Sequence, residues 1–378
     1  MKATIQPQAA LEQAKAALGA TFLDHERFEW AFKQIKGAIK YPTDTKLLCV
    51  IGPTGVGKSR LFNSTKEFVK EYAVGMPTPI DIPFVGFEVP VVNQYNFSWP
   101  TFYGTYLKEL QPPLPADRSV VYEIARPSSR RENNDTLLMQ ALAHRRPLVT
   151  LLDEAQHLTQ VSNSRHLLNH MEHIKSLANR SNILHICFGT YDLARMIRLS
   201  GQLARRTHVI HFSRYDAEKP EEAEIFGQAV KDVQKVMKIA HFTDLWSNRA
   251  YLYRHSLGCI GTFKTWVLNA LQEALAMGRD TITMEDFKAR ELSEAKLYTM
   301  LNEISDGERS LRDELEDGEH RQLQLKLGEI NDEEELPKFP PSSDLTTQGR
   351  KRRVAERNPK RDPIGPLLPS EDNELQSA

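Results

Sequence analysis

Cysteine is scarce, with three in 378 residues: Cys49, Cys187 and Cys259. An odd number at wide spacing excludes a disulfide framework and a zinc ribbon, and fits a reducing compartment. Long apolar runs are missing too. The longest, such as Leu47–Ile51 and Leu148–Leu152, reach about five residues against the ~20 that a bilayer requires, so no membrane partner is expected. The opening MKATIQPQAALEQ lacks the basic-then-apolar pattern of a secretory signal. A dominant charge is also absent. With 49 Lys and Arg against 50 Asp and Glu, the formal net charge is −1 and selects no class of partner.

Locally the charge is uneven. Between Glu303 and Glu335 stand 13 acids and 4 basic residues, and between Arg350 and Arg361 seven basic residues and one acid. Such blocks resist collapse and read as solvated interaction segments. Ahead of them, short apolar strands alternate with helical sequence. LLCVIG, Phe87–Val92, Leu148–Leu152, Ile183–Phe188 and Thr207–Phe212 are the expected strands, and their alternation with helices predicts a parallel α/β sheet with crossover connections. After Phe212 the signal is helical. Val267, Ala270, Leu271, Ala274 and Leu275 follow i, i+3, i+4, i+7, i+8, and Thr283 to Asp286 matches a helix N-cap pattern. The expected organisation is an N-terminal helical segment (1–45), an α/β nucleotide-binding domain (46–214), a helical lid (215–300) and a charged, largely disordered tail (301–378).

The stretch Gly52-Pro53-Thr54-Gly55-Val56-Gly57-Lys58-Ser59, between a strand and a helix, fits G-x-x-x-x-G-K-[ST] at every fixed position. The glycines let the backbone curl so that successive N–H groups face phosphate oxygens, and the following helix adds the positive end of its dipole. Lys58 is placed to reach the terminal phosphates of ATP, Ser59 to ligate Mg²⁺, and Arg60 to lie beside the nucleotide. Ninety-four residues beyond Ser59, the apolar run Pro147–Leu152 ends in Asp153 and Glu154. Asp153 is expected to hold Mg²⁺ and Glu154 to orient and deprotonate the attacking water. This pairing points to hydrolysis and away from transfer to a small acceptor.

Three further elements complete the pattern. Thr190, at the end of the Ile183–Gly189 run, is a candidate γ-phosphate sensor. Arg205 and Arg206, before the last strand, could reach a neighbouring subunit's γ-phosphate, where a guanidinium stabilises the transferring phosphoryl group. Lys264, in Gly258-Cys-Ile-Gly-Thr-Phe-Lys264, could come over the phosphates from the lid and link nucleotide state to lid angle.

Two clusters favour plainer readings. Phe87, Tyr95, Phe97, Trp99, Phe102, Tyr103 and Tyr106 crowd one segment, but no Lys or Arg precedes Lys108 there, so core packing is preferred over base stacking. His166, His170 and His173 share a helix face without any accompanying metal-ligand spacing, and read as helix surface. Duplex DNA would be held through phosphates, and Lys108, Arg130 and Arg131 are the candidate contacts.

In order, these pieces make an AAA+ ATPase. GPTGVGKSRL, PLVTLLDEAQHL, FGTYDL, GCIGTFKTWVLNAL and the tail RKRRVAERNPKRDPIGP resemble the TniB/TnsC regulators of DNA transposition. The resemblance covers about residues 20–300, with weaker support at 345–367. Ser59 stands where many relatives have Thr, and either hydroxyl can bind Mg²⁺. The resemblance implies a P-loop AAA+ fold of five parallel strands with a small helical lid, in a cytoplasmic bacterial protein. It implies a homo-oligomer, ring or filament, assembled on double-stranded DNA in the ATP state and recruited by a TniQ-like target-selection protein. It further implies engagement of a DDE transposase, with a CRISPR effector choosing the site in some systems. A clamp-loader or helicase-loader role, and a monomeric P-loop kinase or NTPase, stay open as alternatives.

Overall fold

Leu47–Ile51 is apolar throughout and buried at all five positions, which is what a central parallel strand requires. It forms β1 of a computed structural model that describes residues 7–21, 25–76, 82–91, 97–110, 131–159, 164–198, 207–236, 241–242, 245–279, 281–311 and Lys326. The other strands of its sheet are β2 (Phe84–Glu88), β3 (Val149–Asp153), β4 (Leu184–Gly189) and β5 (Thr207–His211). All five pair in parallel in the order β2-β3-β4-β1-β5. The expected second strand, Phe87–Val92, lies earlier than placed. Val89 still donates to the Asp153 carbonyl at 2.9 Å, but Pro90 has no N–H to continue the ladder.

Successive side chains of β1 point to opposite faces, and each face has its own helices. Leu47, Cys49 and Ile51 join a core with Trp99, Phe102, Tyr103 and Tyr106, from the helix Trp99–Glu109. Leu48 and Val50 pack with Phe28, Ala31 and Ile35 of the helix Glu26–Lys40. Phe87, Trp99, Phe102, Tyr103 and Tyr106 are therefore core, with Phe97 partly buried against them, as the lack of basic neighbours suggested; Tyr95 lies outside the described residues. Among the histidines, His173 lies against the Tyr103 hydroxyl, and the His170 and Trp99 ring centroids are 5.2 Å apart. The side chain of His166 lies outside the described residues.

Beyond β5, a third core gathers Phe226, Phe263, Trp266, Val267, Ala270 and Leu271, with each large side chain contributing ~1.5–3 kcal/mol of burial. Its main helix, Ile260–Ala276, carries the predicted stripe. The cap before Met284–Ala289 is a true capping box, with Thr283 N–H donating to Asp286 Oδ2 at 2.8 Å. The two described helices of the first 45 residues join different cores. Ala14 and Leu18 of the helix Pro7–Thr21 belong to the lid core, while the next helix lies on the sheet. Position 300 falls inside the helix Glu294–Ser310, because Leu297, Ile304 and Gly307 are buried along one side. Chain contacts group residues 1–313 as one unit and 314–378 as another. The second unit, with Arg350–Arg361, lies outside the described residues except for Lys326. No described helix is long and apolar enough to cross a membrane.

Candidate nucleotide site

Four neighbouring strands, β3, β4, β1 and β5, deliver their carboxyl ends to one edge of the sheet, the usual ligand edge of open α/β folds. After β1 the chain enters the loop Gly52–Gly57, then the helix Lys58–Val74. Gly55 and Gly57 have φ of 80° and 120°, conformations that side chains rarely tolerate. At Gly52 the constraint is space, since a Cβ would lie 2.0 Å from the Phe212 carbonyl oxygen. The loop is pinned to its neighbours. Gly52 N–H donates to Gly189 O at 3.2 Å, and Phe212 N–H to Ile51 O at 2.8 Å. Pro53 and Val56 are buried, whereas Thr54, Ser59 and Arg60 are exposed at the rim.

Lys58 is buried and folds over the loop, donating to the carbonyls of Gly52 at 2.9 Å and Pro53 at 2.8 Å. Burial brings its pKa down to about 8, against the opposing pull of Glu154 and Asp153. The same carboxylates thus face the loop lysine. Burial raises the Asp153 carboxyl above its ordinary range, while hydrogen bonds from the Glu154 N–H, at 3.0 Å, and from the Ser59 hydroxyl work to lower it. Ser59 and Asp153 are hard oxygen donors on adjacent elements. They fit Mg²⁺ in the mode where few protein ligands share the ion with phosphate and water. Among the described residues, no group of three or more His, Cys, Asp or Glu forms a metal cage.

Glu154 sits just past β3 at φ 50°, a left-handed turn that starts the short 3₁₀ segment Ala155–Thr159. Its carboxylate accepts from Gln156 Nε2. Thr190 follows β4, and its Oγ1 is buried with no hydrogen-bond partner. An unmet buried hydroxyl costs about 1–3 kcal/mol, a cost understandable where a ligand oxygen is to be met. Thr54, Gln156 and Thr190 line a cavity of about 510 Å³, together with Glu303, Ile304 and Gly307.

The lid meets the loop directly. Thr262 N–H donates to Gly55 O at 3.0 Å, which brings the start of the helix Ile260–Ala276 onto the phosphate loop. Lys264 is half-buried, and burial first and Arg60 second lower its pKa. These two cations therefore share one neighbourhood at the loop's edge. Lys108 is exposed on the last turn of its helix. Arg205, Arg206, Arg130 and the side chain of Arg131 lie outside the described residues.

Three features went unread in the sequence. Gln156 bridges Glu154 and Thr190, and its only signal was its place two residues after Glu154. Gly261 and Thr262 seat the lid, three and two residues before the expected Lys264. Arg214 pairs with Glu308 at 3.0 Å, ninety-four positions away in sequence, a distance at which spacing says nothing.

Residues 42–197 match the family model of an AAA domain, and this segment carries the AAA P-loop fold. No protein of curated function matches the sequence. Solved structures of similar arrangement include Cdc6p from Pyrobaculum aerophilum, at 14% identity and a TM-score of 0.48 over 69% of this chain and 65% of that one. This chain thus spans slightly less than two thirds of that protein. The Drosophila ORC bound to DNA gives 13% identity and a TM-score of 0.47 over 86% of this chain and 84% of that one. Domain III of the Thermotoga maritima replication initiation protein DnaA gives 10% identity and a TM-score of 0.40 over 76% and 95%. At such scores these likenesses carry no inference about function.

Proposed function

We propose that this protein is a Mg²⁺-dependent ATPase that assembles on double-stranded DNA in its ATP state and regulates DNA transposition. The observation that carries the hydrolytic part is the convergence of Lys58, Asp153, Glu154 and Thr190 at one sheet edge, with the lid bonded to the same loop. Lys58 exchanges its two loop carbonyls for the terminal phosphates. Glu154 takes a proton from water as the water oxygen bonds to the γ-phosphorus. The bond from that phosphorus to the bridging oxygen breaks, leaving ADP and phosphate. Thr190 offers its unmet hydroxyl to the attacking water or the γ-phosphate. Ser59 and Asp153 would hold Mg²⁺, which would supply charge neutralisation to the phosphates. Arg205 or Arg206 acts from a neighbouring subunit.

The DNA part rests on the resemblance to TniB/TnsC regulators, with Lys108, Arg130 and Arg131 as candidate phosphate contacts. A further feature supports phosphate binding. Lys33, Lys36 and Lys40, with His208, line a cleft of about 670 Å³ whose lining includes no carboxylate. A TniQ-like protein would recruit the assembly. The tail would reach a DDE transposase, its Pro359, Pro363, Pro366 and Pro369 pre-extending a peptide anchored by Ile364, Leu367 and Leu368. Hydrolysis would then release the complex. Light scattering with ATP and duplex DNA tests this reading: a large increase in mass requiring both is expected. A chain that stays monomeric under those conditions supports a monomeric P-loop NTPase or kinase instead. Assembly without transposase binding supports a loader-like role.

A further inference from the structure

The side chain of Gln156 makes two hydrogen bonds, one to each side of the reaction machinery. Its Oε1 accepts from the Thr190 N–H at 3.2 Å, and its Nε2 donates to Glu154 Oε2. The assignment is forced by the partners, because an N–H requires the amide oxygen and a carboxylate requires the amide nitrogen. A planar amide cannot turn for one partner without turning for the other.

The mount beneath it is rigid. Ala155 and Leu158 are buried, His157 N–H donates to Glu154 O at 3.0 Å, and Thr159 Oγ1 donates to Gln156 O at 2.7 Å. From the other side, Gly189 makes room. A Cβ there would lie 3.1 Å from Gln156 Oε1, 3.2 Å from Leu193 Cδ2 and 3.3 Å from Gln156 N, so the amide and its neighbours would have to give by a few tenths of an ångström. Thr190 gives its backbone N–H to Gln156 and keeps its own buried Oγ1 for the cavity.

We propose that Gln156 is a positioning residue, tying the orientation of the Glu154 carboxylate to the strand end that carries Thr190. This rests on the ATPase reading given above. When Thr190 meets the γ-phosphate, the shift of its backbone passes through the amide to the carboxylate. The hydrogen bond occupies one carboxylate oxygen and leaves the other to accept the proton from water. Gln156 acts through Glu154 in this role, so it governs turnover more than affinity.

The test is steady-state ATPase kinetics and ATP titration on the full chain, in wild type, Gln156→Met, Gly189→Ala and the double variant. Gln156→Met keeps length and loses both hydrogen bonds. It is expected to lower kcat about tenfold to a hundredfold, the scale of a small misplacement of a catalytic group. The ATP Kd is expected to stay within about twofold, with Tm lowered by only a few degrees for the lost hydrogen bonds. Gly189→Ala disturbs the amide from the opposite side and is expected to lower kcat in the same way, with the double variant no worse than Gln156→Met alone. Unchanged kcat in Gln156→Met overturns the proposal, as do losses that multiply in the double variant. A fall in affinity and a larger fall in Tm alongside kcat assign Gln156 a merely structural role. If Gln156→Met does not fold, Gly189→Ala decides: an unaltered kcat there overturns the coupling. A wild-type chain that binds ATP and releases no phosphate sinks the ATPase reading itself, and Gln156 falls with it.

Discussion

The N–H of Thr262 donates to the carbonyl of Gly55 at 3.0 Å, so the first turn of the lid helix is bonded to the bend of the phosphate loop. The fit is close. A Cβ on Gly55 would lie 2.1 Å from Thr262 Oγ1, and one on Gly261 would lie 2.4 Å from the Gly55 oxygen. A change in the bend of the loop would therefore strain its contact with the lid. Under the proposed function, this contact would carry phosphate binding to the surface offered to a neighbouring subunit.

The contact makes Gly261→Ala a sharp probe. Its methyl group meets backbone rather than a flexible side chain, so the lid must back away. Overpacking of this kind costs about 1–3 kcal/mol. ATP affinity is expected to fall by a corresponding factor of roughly ten to a hundred, read by titration with a fluorescent ATP analogue. Wild-type affinity in the variant would show that the lid is not seated on the loop.

Lys58→Ala removes the buried ammonium that faces Asp153 and Glu154. Loss of one partner from such a cluster costs about 2–5 kcal/mol, and the same ammonium is the cation placed for the terminal phosphates. ATP binding and ATP-dependent assembly on DNA are expected to vanish together. Isothermal titration that finds unchanged nucleotide affinity would contradict the assignment of the loop.

Glu154→Gln keeps the size of the side chain and removes its basicity. Hydrolysis is expected to fall by roughly 10²–10⁴, the usual worth of a general base, with ATP still bound. If hydrolysis times disassembly, this variant forms longer-lived assemblies on DNA. Off-rates measured after dilution decide it, and faster release than wild type would refute the timing role.

Much of the arrangement was legible because it is local. The phosphate loop is eight consecutive residues, its strand is five apolar positions, and Asp153–Glu154 ends another such run. These signals need no knowledge of the rest of the chain. The lid stripe Val267–Leu275 was readable for the same reason. What escaped depends on contacts between distant segments. Gln156 gains its importance from Thr190, and Gly307 is conspicuous only because a Cβ there would lie 2.0 Å from the ring of Tyr191. The helix Glu294–Ser310 crosses position 300, and its exposed acidic residues obscure the buried Leu297 and Ile304 in the sequence. The split of the first 45 residues between lid and sheet likewise has no local signature.

Acid sensitivity supplies the last prediction. His185 is fully buried in β4. Its Nδ1 donates to the Ile183 carbonyl at 2.9 Å, and its Nε2 accepts from the Tyr106 hydroxyl at 3.1 Å. Both nitrogens are thus satisfied by a neutral ring, and burial lowers its pKa to about 4. His25, beside the Tyr215 hydroxyl, is lowered to about 4 by burial and then by Arg27. An unfolded histidine titrates near ~6.5, so below that pH the unfolded chain binds protons that the folded chain refuses. The stability these rings contribute is complete above about 6.5 and is lost progressively as the pH falls toward 4. Asp286, held below the usual carboxylate range despite its burial by Arg279 and Thr283, adds its own loss only at lower pH. Urea midpoints are therefore expected to fall steadily between pH 6.5 and 4.5. In His185→Leu, where the Tyr106 hydroxyl keeps its partner Thr150, the slope over that window is expected to drop by about half, since one of two such rings no longer titrates. A wild-type midpoint that stays flat down to pH 4.5 would mean that these imidazoles are not held neutral by the fold.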